Sequence, residues 1–317
     1  MATTRRADAD EVDGAALTLA AEGVQATVAP QVGGRLTSLR IARVERLVAG
    51  AERLAAGAER LTAGDRADPL AWGCYPMAPW VGRLEAARVP WCDREAVVPA
   101  DHGRHAIHGL MHSRPWVVRD RTATTATLGA PLPSDWPWPG RVEQEVAVSS
   151  SSLTVSGTID GAQPMPAALG WHPWWRFDDA ASVELRVPAD HVLVTDDELV
   201  ATGETAPVAG ATDLRSGPRL GARRLDHTYI GLDGPVRFAW PDAVAELEPG
   251  PGVVAVHVFV TERAVCIEPL SAWPNAHVLD SRGVDGTGLA TVVPGSPLRA
   301  SWRLRLRRRA GQWRARA

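Results

Sequence analysis

The chain has 317 residues, 45% of them hydrophobic and 22% charged, and a formal net charge of -3; this is the profile of a globular protein, neither of a disordered chain nor of a membrane one. The near-neutral balance gives no general electrostatic reason to bind nucleic acid. All 34 basic residues are arginine, which excludes Schiff-base chemistry on lysine and a P-loop lysine.

Cys74, Cys92 and Cys266 are odd in number and form no C-x-x-C pair, so neither a disulfide framework nor a zinc knuckle is expected, and a reducing compartment fits best. The opening MATTRRADADEVDGA has no apolar h-region, and no apolar run reaches the ~18 residues that would span a bilayer. The expectation is a cytoplasmic protein with no membrane and no nucleic-acid partner.

Residues 1–14 read as a polar, disordered leader. From there short segments alternate apolar and polar residues: Val24, Ala26 and Val28; Val142, Gln144, Val146 and Val148; Leu153, Val155 and Ile159; Val183, Leu185 and Val187; the run from Val253 to Thr261; and Trp302, Leu304 and Leu306. Period two predicts strands with one buried face. With 25 Pro and 29 Gly between these runs, helices of ordinary length have little room. The predicted fold is all-β, a large antiparallel sandwich forming one domain over 15–308, followed by a basic tail at 309–317.

Residues 46–66 break the pattern as RLVAGAE RLAAGAE RLTAGDR, three near-copies of seven residues. A glycine in each copy argues against a coiled coil, since each costs about 1 kcal/mol in a helix. A surface loop lengthened by duplication is expected, because added loop length costs little entropy.

The stretches that carry chemistry follow in order. YPMAPWVGR, 75–83, offers Trp80 as a stacking face and Arg83 as a fork of donors. DHGRHAIHGLMH contains His102, His105, His108 and His112; its glycines argue against a helix that would align them as metal ligands, so no metal is expected, and His108 is the one expected to point into a site. WPWPG, 136–140, reads as a rigid hairpin connection. GWHPWWRF, 170–177, sets the titratable His172 among flat apolar surfaces able to stack on sugar rings, Trp174 among them. Asp226 could accept from sugar hydroxyls or form a surface ion pair. In AVCIEPL a half-buried strand delivers Glu268 at its end, where Pro269 is expected to stop further pairing.

Taken in order, these stretches resemble the aldose 1-epimerase (galactose mutarotase) family over roughly 15 to 308: PMAPWVGR, AIHGLMHSRPW, GWHPWW, LDHTYIG, VCIEP and the closing VVPGSPLRASWRL are each similar to a motif of that family. The resemblance implies a β-sandwich with a cleft on one sheet, a small-molecule sugar substrate and no cofactor. It places Glu268 on the general base, His172 on the general acid, and Arg83, His108 and Asp226 on substrate-binding positions. Departures are Asp101 or its neighbours where the family commonly has Asn, Leu270 where it often has Gln, and Trp174-Trp175 where it has Tyr-Phe. The pair implies a bell-shaped pH profile, with an acidic limb from protonation of Glu268 and an alkaline limb from deprotonation of His172.

Alternative readings are a non-catalytic sugar-binding protein on the same fold, a hexose-6-phosphate epimerase with Arg114 as an extra cation, and a metal hydrolase built on the histidine cluster. Because the repeat supplies no group that this chemistry uses, excising Ala51 to Gly64 is expected to leave activity and melting temperature nearly unchanged. Collapse of either would show that the insert packs on the domain.

Overall fold

A computed structural model describes residues 16–49 and 69–308. Nearly every element is a strand, as the alternation predicts. The larger sheet has 11 antiparallel strands. In spatial order they are Leu17–Ala21, Val24–Ala29, Arg35–Ile41, Cys74–Met77, Gly170–Arg176, Ala264–Leu270, Ala255–Val260, Asp226–Leu232, Ala189–Thr195 and Ala201–Pro207, with Val44–Glu45 beside Arg35–Ile41. The second sheet has 8 strands, ordered Val117–Arg121, Thr125–Pro131, Gly140–Ser149, Ser152–Gly161, Leu298–Arg308, Ala243–Pro249, Val236–Ala239 and Glu184–Arg186. The WPWPG segment is the hairpin connection expected, with Trp136 and Trp138 buried. The one α-helix among the described residues, Ala276–Ser281, has six residues, and none is long and apolar enough to cross a membrane.

The sheets pack through their alternating apolar faces. Ser152–Gly161 alternates half-buried and buried residues throughout its length. Trp171, from the larger sheet, enters this interface and meets Trp302 edge-on, with ring centroids 6.5 Å apart. Gly157 makes room for it: a Cβ there would lie 2.7 Å from Leu169 and 2.9 Å from the Trp171 ring. The buried Gln144 ties the layers together, donating to the Gly34 carbonyl and accepting from Trp171 Nε1, each at 2.8 Å.

The start of the repeat is not a surface loop. The Arg46 guanidinium is 4% exposed, lies 4.8 Å from the centroid of the Trp240 ring and pairs with Asp242. Leu47 is buried and bridges Trp175, and Val48 donates to the Trp174 carbonyl while accepting from Gly73 N–H. The chain therefore stays in the fold through Val48, because stacking, an ion pair and ladder bonds all hold it there. The repeat from Gly50 on, the leader at 1–14 and the tail at 309–317 lie outside the described residues.

Replacing Gln144 by Leu would leave the Gly34 carbonyl and the Trp171 N–H buried without their partner. At the ~1–3 kcal/mol that each unsatisfied group costs, Gln144→Leu is expected to lower the urea midpoint markedly at unchanged slope. An unchanged midpoint would mean that the two groups find other partners.

Candidate active site

Alternation along Gly170–Arg176 sorts the WHPWW residues onto two faces. Trp171 and Trp175 go into the sandwich, while His172 and Trp174 face the cleft. The flat surfaces beside His172 are thus not its chain neighbours. They are Trp174, two residues on, and Tyr75, paired opposite it on Cys74–Met77; both rings stack on the imidazole, at 5.4 Å and 4.8 Å.

On its other side His172 faces Glu268, with Nε2 3.1 Å from Oε1. The ladder between their strands pairs Gly170 with Leu270 and resumes at Trp174 with Cys266. Between these points lie Pro173 and Pro269, neither of which has an N–H to give. Glu268 does not end its strand, as the sequence led one to expect. Pro269 pairs with Val256 and Leu270 with Ala255, so the carboxylate sits in the body of the sheet, 2% exposed, and not on a rim. Proline is tolerated because the ladder is open on the neighbouring side.

The cross-strand row continues. Glu268 pairs with His257, and His257 with Thr228. The His257 ring bonds Thr228 Oγ1 through Nδ1 at 2.9 Å and Asp226 Oδ1 through Nε2 at 3.0 Å. Arg83 approaches the same carboxylate at 3.9 Å. A small ribbon places Arg83 and His108 over the sheet: Arg83 pairs with Ile107, and His108 N–H donates to the Gly82 carbonyl. His108 and Gly109 are both left-handed, at φ 60 and 77, and a Cβ on residue 109 would lie 2.1 Å from the Ala78 carbonyl oxygen, so glycine is required there. His108 meets His172 edge-on at 4.9 Å. The cleft so formed has a volume of about 410 Å³, and Asp101, His102, Phe259 and Leu270 also line it.

Burial dominates the electrostatics. It pushes Glu268 from 4.5 up to about 8, against the opposing charges of His257 and Arg83, and drives His172 well below 6.5. Both shifts say that the pair resists carrying net charge. His257 moves the other way: burial lowers it, but the Glu268 charge and the Asp226 hydrogen bond raise it further than burial lowers it. Burial tends to raise Asp226, yet His257 and Arg83 hold its carboxyl low. Cys266 lies between Trp174 and Phe259 in register, and burial pushes its thiol well above the usual range.

A family model described as aldose 1-epimerase matches residues 15–267. The chain belongs to this family. Among relatives, the uncharacterized protein YihR of Escherichia coli is 24% identical over 240 residues, covering 70% of this chain and 75% of that one. The fold is shared with the crystal structure of a galactose mutarotase-like protein from Clostridium acetobutylicum, with TM-score 0.78 and 16% identity over 93% of this chain and 95% of that one. It is also shared with a GalM/aldose epimerase homologue from C. elegans, at TM-score 0.77 and 17% identity over 93% and 99%.

In this aldose epimerase scaffold, Glu268, His172, Arg83, His108, Asp226 and Trp174 all line one cleft. Of the other histidines of the 102–112 stretch, His102 also lines the cleft, while His105 and His112 bond elsewhere. His105 Nδ1 accepts from the Ala86 N–H, and His112 Nδ1 pairs with Ser113. Among the described residues the group with metal-ligand spacing is instead His172, Cys266 and Glu268, whose donor atoms lie within 4.8 Å of one another. Sequence reasoning missed Tyr75, Thr228 and His257; the signal for His257 is a single ionisable side chain inside the apolar strand AVHVFV.

The folded Glu268 value lies above the unfolded one, so this group's contribution to stability is complete below about 4.5 and is lost as pH rises to about 8. Glutamine has no such loss. The melting temperature of Glu268→Gln is therefore expected to gain on wild type between pH 5 and 8 and to hold its lead above that. A difference independent of pH would place the ionisation of Glu268 elsewhere.

Proposed function

We propose that this protein is an aldose 1-epimerase that interconverts the α and β anomers of a free hexose such as glucose or galactose by opening and reclosing the ring. The observation that carries this reading is the buried His172–Glu268 pair, 3.1 Å apart on the floor of a sugar-sized cleft. Glu268 as carboxylate takes the proton of the anomeric hydroxyl while His172 as imidazolium gives one to the ring oxygen, and the C1–O5 bond breaks. The aldehyde turns about C1–C2. The O5 hydroxyl then attacks its other face, returning its proton to His172 as Glu268 protonates the carbonyl oxygen. Throughout, the pair alternates between two tautomers holding one proton, and it ends as it began.

The surroundings support these roles. Tyr75 and Trp174 clamp the imidazole plane, and Trp174 also offers a face to the sugar C–H groups. His108 Nδ1 is buried without a partner among the described residues and is free to meet a sugar oxygen. Arg83 and Asp226 offer a donor fork and an acceptor to ring hydroxyls. A neutral sugar fits better than a phosphorylated one. Arg114 bonds the Leu110 carbonyl and Asp135 and does not line the cleft, where Arg83 is the sole arginine among the described residues. A binding protein without catalysis would gain nothing from a desolvated acid and base set in contact.

Glu268→Gln keeps shape but cannot accept the proton, and mutarotation followed by polarimetry is expected to fall by ~10²- to 10⁴-fold with sugar binding retained. His172→Asn should fall likewise, and the double variant much less than multiplicatively. The shifts reverse the limbs expected from the sequence: in wild type, activity is lost on the alkaline side as the pair gives up the proton held near 8, and on the acidic side, below 6.5, as His172 takes a second one. Near-wild-type turnover of glucose and galactose by Glu268→Gln would sink the proposal.

A further inference from the structure

We infer that His257 is a positioning residue: pinned between Asp226 and Thr228 beside Glu268, it favours the carboxylate form of Glu268 over the protonated one and so fits Glu268 to act as the base. This rests on the function proposed above. The need for such a group follows from burial. A carboxyl 2% exposed keeps its proton unless a positive charge faces it, and a protonated Glu268 cannot accept the anomeric proton.

The geometry singles out His257. It pairs directly with Glu268 across adjacent strands, so their Cβ atoms are about 4.5–5.5 Å apart, whereas His172 lies one strand further on, about 5 Å more. A positive charge on His257 thus favours a carboxylate at Glu268, and it also opposes an imidazolium at His172, one strand further away. Both ring nitrogens are engaged, at 2.9 Å and 3.0 Å, and Asp226 as an acceptor requires an N–H at Nε2. The ring therefore cannot turn to meet substrate, and it acts through Glu268.

The other ionisable groups facing the two residues do not substitute for it. Cys266 on the same strand as Glu268, and Cys74 beyond His172, are held as neutral thiols by burial. His108 above and His227 beside Asp226 are pushed toward neutrality by burial and by neighbouring positive charge. Arg83 reaches the site already facing Asp226 at 3.9 Å, so these two largely offset one another. Arg35 lies on the far side of the row, stacked on Tyr75 and Trp72, where its charge opposes an imidazolium at His172. His257 remains the basic group directly beside Glu268, and Glu268 and Asp226 raise its proton affinity.

The test is His257→Gln, whose amide can still bond Thr228 and Asp226. At pH 7, kcat is expected to fall about tenfold or more with KM changed much less, and the alkaline limb to move up by about one pH unit, a tenfold change in the proton affinity of Glu268. Loss of rate with both limbs unmoved would reduce His257 to a structural role and overturn the inference. A second measurement needs neither turnover nor that variant: NMR titration of the His257 ring in the full chain should show its midpoint lower in Glu268→Gln than in wild type, because the facing carboxylate is gone. Equal midpoints would overturn the coupling. A wild-type protein that turns over no aldose yet shows the NMR coupling would defeat the proposed function and leave the electrostatic link standing.

Discussion

One proton shared by two desolvated side chains is the constraint to which the rest of this structure answers. Water would let His172 and Glu268 titrate independently near their ordinary values; buried, neither tolerates an isolated charge, so the pair settles at one proton between them. Ring opening and closing need a couple that can take at one oxygen and give at another without changing its total. Under the proposed function the sandwich provides this by using the middle of its larger sheet as the floor of the cleft. Side chains there are fixed by strands on both sides, and solvent reaches them only from above.

The proline-marked gap in that sheet has the same logic. Pro173 and Pro269 sit where the ladder between their strands is interrupted, and His172 and Glu268 project beside it. Around them the row runs from Tyr75, with the Arg35 guanidinium stacked on its ring, through the pair to His257 with Asp226 and Thr228. Leu270 and Trp174, which depart from the family's usual residues, both line the cleft, whereas Trp175 turns into the core.

The sequence carried the fold class and the residues that line the cleft because both rest on local signals. Period-two burial in segments such as SLTVSGTIDG is a property of the strand itself, and ordered motifs located Glu268, His172, Arg83, His108, Asp226 and Trp174 before any contact was known. Two features of the fold escaped it. The packing of Arg46 and Leu47 depends on Trp240, Asp242 and Trp175, far along the chain, so a repeat with loop-like composition concealed a buried start. Glu268 read as a strand-end residue because proline in isolation signals an edge, and only the open ladder beside it explains its place in the body of the sheet.

What the amino-acid order determined by itself was which residue types could do acid–base chemistry and which strands would carry them. What tertiary structure decided was register. His172 and Glu268 are 96 positions apart in the chain and His257 lies in a strand that no motif marked, yet pairing puts the three side by side in one row. Proton affinity in that row is set by burial and by charges on neighbouring strands. These are properties of the assembled sheet that no local sequence pattern encodes, since one residue's slip in pairing would turn every one of these side chains to the other face.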